Sequence, residues 1–227
     1  VGVYNLTYFP DEYRFHFNAH NLVVYGKENG EYLISDPVMQ HTSRLTEKEL
    51  EKVRFAKGVL APKGHLYYPT ELPKNIHLEK AIIKGIKNTC DNMLSPLFIV
   101  GVKAIERVSK HIPFWVKRYG IQKTNHYLAQ IVRMQEEIGT GGGGFRFIYG
   151  AFLQEAATIL NNPKLIELSK EITDIGDAWR NFALEISRVY KKRSNIINVY
   201  NKLSQDLYQI AQREKEFFKK LRNAVKK

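Results

Sequence analysis

Two side chains sixteen positions apart, His20 and Asp36, are of the types that proton-transfer chemistry needs. An imidazole takes a proton from a nucleophile, and a buried carboxylate on its far side fixes the tautomer and stabilises the imidazolium. His20 opens the run His20-Asn21-Leu22-Val23-Val24-Tyr25-Gly26, and Asp36 precedes Pro37. Leu22–Tyr25 and Glu31–Ile34 read as strands joined through Lys27-Glu28-Asn29-Gly30, so the histidine opens one strand and the aspartate closes the next. On residue types alone, a purely structural hydrogen bond is the alternative reading of this pair.

Side chains alternate across a strand, so the hairpin register decides whether the two can meet. A two-residue Asn29-Gly30 turn pairs Glu28 with Glu31 and sends His20 and Asp36 to opposite faces. A three-residue loop, Glu28-Asn29-Gly30, pairs Lys27 with Glu31 and brings them to one face, with Gly30 in the left-handed position of a G1 bulge. The expectation is the three-residue loop or another of odd length; a bulge or strand end near Asp36 is the other route to the same geometry.

The elements around the pair change character along the chain. The opening VGVYNLTYF is β-type, and from Tyr13 to His20 polar and apolar residues alternate as in a half-buried strand. His16 then shares a strand face with His20, but four residues of strand hold them ~13 Å apart, too far for a shared metal. No other metal-ligand pattern is present, and no metal is expected. Thr46-Glu47-Lys48-Glu49 has the form of a capping box opening a helix that stops near Gly58. Beyond a Pro/Gly/Tyr-rich linker from Ala61 to Pro73, helical periodicity predicts helices near 76–94, 98–111, 121–138, 145–160, 164–190 and 195–225. Pro96, Pro113, the glycine run 141–144 and Pro163 are the expected breaks. The fold class is thus α+β, mainly α, with a domain over 1–60 and a helical domain over 61–227.

At 227 residues and 44% hydrophobic, the chain buries a core without staples. Its longest apolar run, Pro96 to Val102, falls far short of the ~20 residues of a membrane span, so a cytoplasmic protein is expected. Residues 188–227 hold 12 Lys/Arg against 3 Asp/Glu, which is +9 of the net +12. The last helix lines up Ile196, Tyr200, Leu203, Leu207, Ile210, Phe217, Leu221 and Val225 on one stripe, for a core or a homodimer interface, with lipid-surface binding less favoured. Aromatic residues are not interleaved with the basic ones, which argues against nucleic acid.

The pattern His20-x-x-Val23-Val24-x-Gly26 followed by Asp36-Pro37 resembles the His and Asp part of papain-like peptidases of the bacteriocin-processing type. It is more similar still to the N-terminal domain of the butirosin biosynthesis protein H family. Ile138-Gly139-Thr140-Gly141-Gly142-Gly143-Gly144-Phe145-Arg146, continuing through Tyr149, Phe152–Ala157 and Trp179, resembles the helical domain that accompanies it. The resemblance implies a partial papain-like β segment and an acyltransferase that moves an acyl group from a carrier-protein thioester to a small amine acceptor. His20 and Asp36 would be two members of a Cys-His-Asp site whose Cys lies outside this sequence, leaving the chain alone inactive. Cys90, the single cysteine, fits a small core residue better than that nucleophile.

Gly141, Gly142, Gly143 and Gly144, set before a helix, could turn backbone N–H groups toward a phosphate with Arg146 beside them, and the resemblance adds Tyr149 and Glu155, which core packing also explains; these are the substrate- or carrier-binding candidates. The implied partner is an acyl carrier protein with its phosphopantetheine arm as acyl donor, no cofactor being bound by the chain itself, and neither nucleic acid nor membrane. The glycine run has three readings in descending order: a connector, a mobile lid, and a phosphate cradle. A papain-like cysteine peptidase and a non-catalytic helical interaction module are the competing functions.

Overall fold

The computed structural model describes residues 1–137, 141–191 and 196–226, with no statement on the side chains of 137, 196 and 197. Ile138, Gly139, Thr140 and the side chain of Ile196, all part of the sequence reading, lie outside the described residues. The chain forms two compact units, Val1–Lys74 and Asn75–Lys227. The fold is α+β and mainly α, as the sequence pattern predicts.

In the first unit, three strands form an antiparallel meander in the order β1 (Val23–Glu28), β2 (Glu31–Ser35), β3 (Ser43–Thr46). The β1–β2 turn has two residues, not three. Glu28 pairs with Glu31, and Asn29 and Gly30 both take positive φ, 50° and 86°. That is what a two-residue turn matched to strand twist requires, and Asn-Gly supplies it at least cost. Farther along, Gly26 pairs with Leu33 but Val24 pairs with Ile34, so Tyr25 is the extra residue of a β-bulge. One added residue reverses the alternation of faces beyond it. The bulge thus undoes the parity set by the two-residue turn and arrives at the register that the expected three-residue loop was meant to give.

β3 is not predicted by the sequence pattern; it is short, and its contribution is Leu45, fully buried in one core with Ile34. α1 (Glu47–Arg54) opens on the expected capping box: Glu49 N–H donates to Thr46 Oγ1 (3.3 Å) and Thr46 N–H to Glu49 Oε2 (2.8 Å). The helix ends at Arg54, short of Gly58.

Two sequence expectations for this unit are corrected. The opening segment is a 3-10 turn at Val3–Asn5, and Tyr13–His20 forms no strand; a second 3-10 turn covers Asp11–Tyr13 and the rest is irregular, with a bend at His16. The alternation there reflects one-sided burial. Phe15 and Phe17 pack on the core of Val3, Leu6, Phe9, Ile34, Leu45, Leu50 and Val53, and the stretch is tied to the opening segment by two backbone bonds, Val3 N–H to Phe17 C=O (2.8 Å) and the Val1 nitrogen to His20 C=O (2.6 Å).

The helical unit contains α2 (Leu78–Met93), α3 (Gly101–Tyr119), α4 (Ile121–Val132) with a π-helical turn at Arg133–Glu137, α5 (Arg146–Ile159), α6 (Lys164–Tyr190) and α7 (Ile196–Ala224). α7 lies against α2, α3 and α6, and its stripe from Tyr200 to Val225 is part of the core. Pro113 does not end α3, which continues to Tyr119 and stops at Gly120, φ 79°. A proline inside a helix forfeits one rung, typically ~3 kcal/mol. Complete burial of Ile112 beside it favours an unbroken helix. No helix among the described residues is long and apolar enough to cross a membrane.

Candidate active site

Asp36 sits just past the end of β2, and its side chain is fully buried; His20 lies ahead of β1 with a side chain 11% exposed. The two meet: His20 Nε2 is 2.7 Å from Asp36 Oδ2. Tyr8 Oη donates to the same oxygen, also at 2.7 Å, and Val38 N–H donates to Oδ1 at 2.9 Å. Phe9 packs edge-on against the imidazole, ring centroids 5.7 Å apart. The His20 carbonyl accepts from the Val1 nitrogen at 2.6 Å, so both backbone and ring of this residue are fixed.

Burial by itself would raise the Asp36 carboxyl, but hydrogen bonds from His20, Tyr8 and the Val38 N–H, with the charge on His20, outweigh it and hold the group below its ordinary value. Burial pushes the Tyr8 phenol far up, and its bond to the Asp36 carboxylate adds to this, so Tyr8 stays a protonated donor. Facing an ionised carboxylate that already accepts from Tyr8, Nε2 must carry the proton. The basic lone pair is then on Nδ1, for which the described residues provide no hydrogen-bond partner. A base held in one tautomer by a buried carboxylate is what abstraction of a proton from a nucleophile requires.

Nothing in the spacing of Tyr8 marks it as a partner of Asp36, 28 positions away. His16 stacks on Tyr4 at 4.2 Å and takes no part. Among the described residues, no three of His, Cys, Asp and Glu come together as a metal-ligand set.

The remaining candidates belong to the helical unit. Gly141 to Gly144 all have positive φ (65°, 84°, 54° and 53°). A Cβ on Gly143 would stand 3.2 Å from Gly176 Cα of α6, so two glycines let these backbones touch. Gly143 N–H donates to Glu136 Oε1 at 3.1 Å, and Arg180 Nε lies 3.7 Å from Glu136 Oε2. A carboxylate of the chain itself thus occupies this N–H.

Arg146 faces inward. Its Nε and Nη2 donate to the two oxygens of Glu214, fully buried on α7, at 2.8 and 2.9 Å, and its Nη1 donates to Gly144 C=O at 2.5 Å. Trp179 Nε1 donates to Glu214 Oε1 at 2.7 Å. Glu214 is not among the residues that the sequence pattern singles out, although a carboxylate on the apolar stripe between Ile210 and Phe217 is a readable signal.

Tyr149 lies against Phe152 and Phe218, and burial pushes its hydroxyl far up. Glu155 is exposed to solvent. Cys90 is buried in the helical core, and burial raises its thiol to about 11.

Two family models match the chain. The domain of unknown function DUF4872 covers residues 48–221, and the family described as butirosin biosynthesis protein H, N-terminal, covers residues 1–37, a stretch that includes Tyr8, His20 and Asp36. No curated protein and no solved structure matches it.

Proposed function

The chain belongs to the DUF4872 family, and from that membership and the similarity of residues 1–37 to the butirosin protein H family we propose that it is part of an acyltransferase. The observation that carries this reading is the 2.7 Å bond from His20 Nε2 to a fully buried Asp36 carboxylate. The acyl donor is a thioester on the phosphopantetheine arm of a carrier protein, the acceptor is a small amine, and the nucleophile is a cysteine outside these 227 residues. Cys90 does not suit that role, because a buried thiol titrating near 11 is almost wholly protonated at neutral pH.

Each step balances on His20. Nδ1 takes the thiol proton, and the thiolate attacks the thioester carbonyl; the tetrahedral adduct expels the carrier thiolate, which regains the proton from the imidazolium. An amine then attacks the acyl-enzyme and gives a proton to Nδ1; the tetrahedral adduct expels the cysteine sulfur, which takes that proton back from the imidazolium, and the amide is released. Asp36 stays ionised throughout, stabilising the imidazolium in both halves.

The test uses the full-length parent protein with an acyl-loaded carrier and a panel of amines, read by mass spectrometry of carrier and product. Transfer that His20→Ala and Asp36→Ala abolish and Cys90→Ser leaves intact is the expected result. Cleavage of peptides without transfer from the carrier would overturn the reading in favour of a peptidase. Retention of transfer in His20→Ala would overturn it outright.

A further inference from the structure

Within the helical unit, α3, α4 with its π turn, α6 and α7 leave a cavity of ≈ 350 Å³. Ile105 and Val108 of α3, Ile131 of α4 and Leu207 of α7 line it, and the Trp179 ring forms one wall. The one polar atom of that ring is already committed, since Nε1 donates to Glu214. Among the described residues no charged side chain lines the cavity; its polar lining residues are two neutral amides, Gln130 and Gln135. That is notable in a chain of net charge +12. Met134, from the π turn, is 48% exposed and marks the mouth. A thioether there adapts to flexible apolar ligands, and π turns recur at functional sites.

An apolar groove that is wide open to water, with no charged lining among the described residues, takes the apolar part of a ligand along its floor and leaves a polar head in solvent. Its volume is roughly twice the ~150 Å³ that holds one benzene, which corresponds to about a dozen carbons. We propose that this cavity binds the hydrocarbon chain of a medium-chain acyl or carboxylate ligand. The assignment concerns the helical unit alone and stands or falls apart from the His20–Asp36 reading.

The experiment titrates the 227-residue chain with butyrate, hexanoate, octanoate, decanoate and dodecanoate by calorimetry. Trp179 emission is followed in parallel in a Trp115→Phe background. Affinity is expected to rise roughly fourfold per methylene, as apolar transfer dictates, and to level off once the cavity is full. Octanol, which carries no charge, should compete with octanoate. Met134→Glu, at the exposed mouth, should weaken octanoate binding roughly tenfold by placing a carboxylate on the chain's path, and Ala104→Phe should occupy the space and abolish it. Affinity independent of chain length, failure of octanol to compete, or undiminished binding in Met134→Glu would each overturn the proposal, and none depends on the tolerance of the core to Ala104→Phe.

Discussion

Tyr8 and His20 converge on a single atom: Oη of one and Nε2 of the other each lie 2.7 Å from Asp36 Oδ2. With Val38 N–H on the second oxygen, the carboxylate is held by three donors from three separate stretches of chain. It cannot rotate without losing all of them, so the orientation of His20 is set by the fold of the whole first unit rather than by the hairpin alone.

The 227-residue chain by itself should turn over neither acyl thioesters nor peptides, because a base and its orienter without a reactive thiolate offer no covalent route. Steady-state assays with soluble acyl thioesters and amines check this. Turnover lost on His20→Ala would mean that the nucleophile lies within this chain.

Stability should carry an acid-side signature of Asp36. Its folded value lies below the ordinary 3.8, so folding favours the ionised form; the stabilisation is complete above 3.8 and disappears as pH falls through the lower, folded value. Tyr8→Phe removes one donor, should cost about 1 kcal/mol at neutral pH, and should move the acid loss to higher pH. Denaturant titrations of both proteins across the acid range decide it, and superimposable acid limbs would show that Tyr8 does not help hold the charge.

Breaking the Arg146–Glu214 pair should be far costlier than removing both partners. Arg146→Met strands a fully buried carboxylate and should lose ~3–5 kcal/mol. Arg146→Met with Glu214→Leu should recover most of that loss, apart from the bond to Trp179 Nε1. Urea denaturation of the two single variants and the double variant gives the coupling directly.

Two glycines with positive φ should respond differently to alanine. At Gly30 nothing lies within 4 Å of the added Cβ, so Gly30→Ala bears only the left-handed backbone, about 1–2 kcal/mol. Gly143→Ala adds contacts at 3.0 Å to Phe147 and 3.2 Å to Gly176 and should cost clearly more. Equal losses in thermal denaturation would mean that the loop backs away from α6 without cost.

What was legible in the sequence was local. The Thr46–Glu49 capping box, the helices from Leu78 onward and the apolar stripe of α7 each follow from residues within a few turns of one another, and each is present. What was not legible depends on distant chain. Alternation over Tyr13–His20 records burial of Phe15 and Phe17 but not whether a strand lies alongside to complete a ladder. Pro113 breaks a helix by local rules, yet Ile112 beside it is fully buried in the surrounding helices. His20 and Asp36 are legible from residue type and resemblance, whereas the place of Tyr8 beside Asp36, 28 positions along the chain, is set by the tertiary fold alone.

Because the bulge at Tyr25 and the turn at Asn29-Gly30 act on the same register, the length of one constrains the length of the other. An insertion in the turn, harmless in most hairpins, would here turn the register at His20 away from that at Asp36, and so would deletion of Tyr25. Made together, the two changes cancel. Relatives that keep the pair should therefore gain or lose residues at these two places in concert, and a designer who shortens the bulge must lengthen the turn.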